Sequence, residues 1–106
     1  MPFVKVRWLQ AQPDEPILIV SELDAERWEV RKVQIFADGR WGYAHGGEEI
    51  GGTFLGERAV PSLSEINADP QFEAVEIEAD EFESLWRARL KARPMTPFPD
   101  DEQRSS

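Results

Sequence analysis

From Phe3 to Leu9 the chain alternates, with Val4, Val6 and Trp8 on one parity and Lys5 and Arg7 on the other. A period of two predicts a half-buried strand with one wet face. The next segment, Gln10 to Pro16, sets Asp14 and Glu15 between Pro13 and Pro16, which makes a stiff, solvated connector. Ile17 to Leu23 is apolar on both parities, as expected of a central strand covered on both faces. Asp24, Ala25 and Glu26 then form a tight turn.

The pattern breaks in the following stretch. Trp28 and Val30 share a parity, but Val33 and Ile35 have the opposite one. A bulge at Arg31-Lys32 would bring all four to one face and leave two adjacent cations in water. The alternative is a strand buried on both faces with the basic pair at an edge; we adopt the bulge. Asp38-Gly39 is a hairpin signal, because glycine accepts the positive φ such turns need. Arg40 to Ala44 is the return strand, with Trp41 and Tyr43 on one face.

Gly46 to Gly52, GGEEIGG, reads as a flexible connection, and Thr53 to Leu55 as a short fifth strand. Ser62 with Glu65 three residues later is a capping-box signature for one or two helical turns ending before Asp69-Pro70. Ala74 to Ile77 is extended. A main helix begins near Asp80 and runs to about Arg93. Phe82, Leu85, Trp86 and Leu90 form its apolar stripe, with acids in the first turn and bases in the last. The expected fold is α+β: a curved antiparallel sheet of four to five strands in a meander, packed against the C-terminal helix. Residues 1–93 form the single domain and 94–106, rich in proline and charge, a disordered tail.

Composition narrows the function more by exclusion than by indication. A chain of 106 residues holds one modest core. Cysteine is absent, so disulfides, thiolate metal sites and cysteine nucleophiles are ruled out. No apolar run reaches the roughly 20 residues needed to span a bilayer, and the N-terminus has no signal-peptide pattern, so a cytoplasmic protein is expected. With 21 acids against 12 bases, the net charge is -9, which disfavours nucleic acid and anionic membranes.

Catalytic chemistry finds little to build on. His45 is the sole histidine, and no G-x-S-x-G nucleophile accompanies it. His45 with Glu48 and Glu49 falls short of the imidazole or thiolate set that zinc usually recruits. Neighbouring carboxylates such as Asp14-Glu15, Glu48-Glu49 and Asp80-Glu81 are expected by chance in so acidic a chain. No cofactor or metal is therefore expected.

The order of motifs carries a resemblance. KVRW at Lys5 to Trp8, SELDAERWEVRKV at Ser21 to Val33, DGRWGYA at Asp38 to Ala44, GGTFLGE at Gly51 to Glu57 and PSLSEI at Pro61 to Ile66 resemble a family of small bacterial proteins defined as a domain of unknown function. The resemblance covers nearly the whole chain except the tail and implies no activity. In size and charge the chain is also similar, more loosely, to the immunity proteins that neutralise bacterial toxins.

The reading that follows is a non-enzymatic protein-binding module, most concretely an immunity-type inhibitor of a basic toxin or nuclease, acting as a monomer or weak dimer. Its expected partner contacts are Asp14, Glu15, Glu22, Asp24, Glu26, Trp41, Tyr43, Glu48 and Glu49. One alternative is a small-ligand-binding regulatory domain using the gap between sheet and helix. Another is a small enzyme using His45.

Overall fold

Short β-branched runs separated by glycine and aspartate turns fold back on one another into a six-stranded antiparallel sheet. The structure is a computed structural model that describes residues 2–91. Its strands are β1 (Phe3–Trp8), β2 (Leu18–Leu23), β3 (Glu29–Ile35), β4 (Trp41–His45), β5 (Glu48–Ile50) and β6 (Phe72–Ile77). Two helices, α1 (Leu63–Asn67) and α2 (Ala79–Ala88), flank β6 in sequence. The order across the sheet is β5-β4-β3-β2-β1-β6. The expected tail, 94–106, lies outside the described residues.

The α+β class and the helix on one sheet face agree with the sequence reading, and β2 is central as expected. The sheet has one strand more than expected, because β6 pairs with β1 along its whole length, from Phe3 opposite Ile77 to Trp8 opposite Phe72. The fifth strand also moves. Gly46 and Gly47, at φ 32° and 90°, make the two-residue turn of a hairpin, and Glu48–Ile50 returns along β4. Thr53 to Leu55 forms no strand. GGEEIGG is therefore a turn, a strand and a second turn rather than a loose connection.

A bulge exists, but one residue earlier than expected. Glu22 pairs with Arg31 while Leu23 pairs with Glu29, so Val30 is the unpaired extra residue. Trp28 and Val30 consequently stay outside the core, 42% and 37% exposed, whereas Val33 is fully buried. Arg31 and Lys32 do not sit in water either. They point to opposite faces, and each is drawn inward by carboxylates remote in the sequence or across the bulge.

On one face, Phe3, Val20, Ile77 and Phe82 form a core against which Leu18, Leu85 and Trp86 pack. Phe82 sits 5.2 Å from Phe3, centroid to centroid. Glu78 is the N-cap of α2 but provides no side-chain cap, and the regular turns end at Ala88 with Arg89 as C-cap. The expected stripe holds for Phe82, Leu85 and Trp86, but Leu90 is 70% exposed because it follows the last turn that faces the sheet. Of the tryptophans, Trp86 lies here and Trp8 packs on Phe72 at 5.4 Å, on the opposite parity of the sheet; Trp28 joins neither.

The second face is covered by the strap 51–62 and by α1. Ser62 caps α1 and Glu65 reaches back to the Ser62 amide, the expected capping box. Gly42 is the close-approach point: a Cβ there would stand 2.1 Å from the Thr53 hydroxyl, which donates to Gln34 at 2.9 Å.

Candidate functional site

One row of side chains crosses the sheet beneath α2: Glu22, Arg31, His45 and Glu48 stand opposite one another on β2, β3, β4 and β5. Each carboxylate of the row is bonded to a neighbour within it, Glu22 to Arg31 and Glu48 to His45, which explains why so many polar groups tolerate that position. Arg31 donates through Nε to Glu22 and through both terminal nitrogens to Glu83 of α2. These carboxylates, Glu83 foremost, raise the guanidinium pKa further above its ordinary value, while partial burial opposes them. The same contact holds the Glu83 carboxyl below its usual range.

Trp86 is the hub of this cluster. Arg89 lies 3.7 Å from its ring centroid and Arg31 5.2 Å, while the rings of His45 and Tyr43 stand nearly perpendicular to it with centroids at 5.2 Å and 5.9 Å. Cations over an indole face are favourable by about 0.5–1 kcal/mol each when partly exposed. Tyr43, expected to face a partner, is therefore covered by Trp86 and by Arg89 at 4.8 Å. His45 approaches Glu48 at 2.7 Å through Nε2. Among the described residues no three His, Cys, Asp or Glu side chains are grouped to hold a metal ion.

The expected contact residues do not form one patch. Asp14 and Glu15 lie in the β1–β2 connector, beyond the row where Leu18 pairs with Ile35, and Ile35 with Trp41. Glu22, Asp24, Glu26, Glu48 and Glu49 gather at the opposite end of the sheet. Several of them serve the fold. Glu15 accepts from the Gln12 amide, and Asp24 Oδ1 accepts from the amides of Glu26 and Trp28 at 2.9 Å each. Asp14, Glu26 and Glu49 are exposed, and Trp41 is half-buried.

Sequence reasoning missed what the strap does. Glu29 accepts from Ser21, Lys32 and the Gly56 amide, and its side chain is only 8% exposed. Lys32 also donates to the Phe54 carbonyl. Arg27, at φ 68°, donates to the carbonyls of Val60 and Pro61. The gap expected between sheet and α2 is filled by aromatic side chains; an apolar cleft lies instead on the other face, beneath Val60 and Ile66. The basic residues of RWEVRK were the available signal, since three cations within six positions at the entry to a central strand require partners.

A small open antiparallel sheet with a helix on one face and a pinned strap on the other defines the class of this domain. The chain belongs to the family described as Domain of unknown function (DUF6881), whose model matches residues 2–91. No curated protein and no solved structure matches it. No described helix is long and apolar enough to cross a membrane.

Proposed function

We propose that the domain is a non-enzymatic protein-binding module of the immunity type, a cytoplasmic inhibitor whose acidic surface docks on a basic toxin or nuclease. Trp28 carries this reading. It is 42% exposed, yet its backbone is fixed: its amide donates to Asp24 Oδ1 and its carbonyl accepts from the Asp24 amide. A large side chain presented from a rigid turn loses little entropy on docking, which suits an interface anchor. Exposed Val30 follows it and exposed Glu26 precedes it. A net charge of -9 favours rapid approach of a cationic partner.

The test is genetic and then kinetic. The reading frame beside this gene is expressed alone and together with the domain. A basic, growth-inhibiting product neutralised by the domain, with an association rate that falls steeply with salt, supports the reading. Trp28→Ala should then weaken the complex by at least tenfold, mostly through faster dissociation. A toxic neighbour that the domain neither binds nor neutralises at low salt would exclude it.

A further inference from the structure

The geometry points to a second site, independent of the protein-binding reading: the cleft beneath the strap binds a compact, neutral aromatic molecule carrying one N–H or O–H donor. Val4, Val6, Ile19, Val60, Ile66 and Phe72 line a cleft of about 240 Å³, with Ser21, Glu29 and Lys32 among its walls. A dry apolar cavity of roughly 150 Å³ already accepts benzene, so this volume suits a bicyclic ring.

Three observations separate this cleft from loose packing. The roof is held in place by hydrogen bonds at both of its ends. Arg27 Nε and Nη2 hold the carbonyls of Val60 and Pro61 at 2.8 and 2.7 Å, and the Val60 amide donates to the Arg27 carbonyl at 2.7 Å. Asn67 fixes the end of α1 by donating to the Ala74 carbonyl at 2.9 Å and accepting from its amide at 2.7 Å. Second, the polar part of the wall is electrically balanced. Glu29 and Lys32 face each other at 3.3 Å, so a charged ligand would gain from one and be repelled by the other. A neutral ligand is what the balance selects.

Third, the carboxylate is not saturated. A carboxylate offers about four lone-pair sites. Among the described residues, Gly56 and Lys32 occupy Oε1 and Ser21 occupies Oε2. The second site on Oε2 has no donor among the described residues, and with Glu29 in the cleft wall it is the acceptor assigned to the ligand's donor. Apolar walls with one directed hydrogen bond are the usual make-up of a small-molecule site. Phe72 supplies the aromatic wall, itself backed by Trp8 at 5.4 Å.

Indole is the direct probe. Titrated into the isotope-labelled protein, it should shift the amides of Val4, Val6, Ile19, Ile66 and Phe72 saturably at millimolar concentration. N-methylindole, which lacks the donor, should bind several-fold more weakly. Ile19→Trp, which fills the cleft from the sheet side, should abolish the shifts while leaving the resonances of α2 in place. If that variant fails to fold, Val60→Trp fills the cleft from the strap and gives the same readout. Shifts scattered over the surface, or unchanged in the filled variant, would overturn the site. Equal affinity for indole and N-methylindole would overturn the role given to Glu29.

Discussion

Arg31 and Glu83, 52 residues apart in sequence, meet in a doubly hydrogen-bonded contact that ties the middle of the sheet to α2. The contact gives the fold an acid sensitivity whose sign is fixed. Glu83 has its pKa lowered in the folded state from the ordinary 4.5, with the Arg31 hydrogen bond as the main cause. Its contribution is therefore complete above 4.5 and is lost as pH falls through the folded value. Glu83→Gln should be less stable than wild type near neutrality, and the difference should shrink under acid. The Glu83 side chain is 38% exposed, so screening by solvent limits the effect to about 1 kcal/mol or less. Urea melts of both proteins at pH 7 and pH 3.5 check this.

The core facing α2 should respond much more strongly. Phe82 is fully buried between Phe3 and Trp86. Phe82→Ala should cost about 3–5 kcal/mol, by lost transfer free energy and a residual cavity. Leu90→Ala, at a 70% exposed position, should change stability by less than about 0.5 kcal/mol. Thermal denaturation of the pair distinguishes a stripe that ends at Trp86 from one that continues to Leu90.

Gly42 should be intolerant for a reason that can be isolated. A methyl group at this position collides with the Thr53 hydroxyl at 2.1 Å and approaches the carbonyls of Ile50 and Gly51 at 3.0 and 3.2 Å. Gly42→Ala should destabilise by about 1–3 kcal/mol through overpacking. Adding Thr53→Gly should recover part of that loss, since the two carbonyls remain in the way. A double-mutant cycle measures the coupling.

How far the sequence foretold all this depended on the range of each signal. The Ser62-Glu65 capping box and the Asp38-Gly39 hairpin were legible because their bonds close within a few residues. The parity break at Trp28 to Val33 announced a bulge. Its position at Val30 was hidden, because it depends on Glu22 and Glu83 claiming Arg31 and on Glu29 claiming Lys32. β6 as the partner of β1 was equally hidden, since pairing two strands so far apart in sequence is a tertiary event. GGEEIGG misled because paired glycines suit a hairpin as well as they suit a flexible loop.

Asn67 should act as an edge guard. Ala74 turns its amide and carbonyl away from β1, toward what would be the next strand of the sheet, and the Asn67 amide occupies both. Exposed backbone at a strand edge recruits other strands. Asn67→Ala should therefore raise the tendency of the protein to self-associate through β6, seen as concentration-dependent growth in sedimentation. Asn67→Asp keeps the acceptor for the Ala74 amide but loses the donor, and should fall between the two.

The extra residue at Val30 has a mechanical meaning. It shifts β3 by half a repeat, so that within three positions one strand sends Glu29 to hold the strap and Arg31 to hold α2. The two layers are fastened to the same short length of backbone. Neither can detach without loosening the rivet of the other, and the domain should melt as one body, with Trp28 on the turn and Trp86 under the helix reporting a single transition. Deleting Val30 would put the strand back in phase and leave one of the two layers without its fastening.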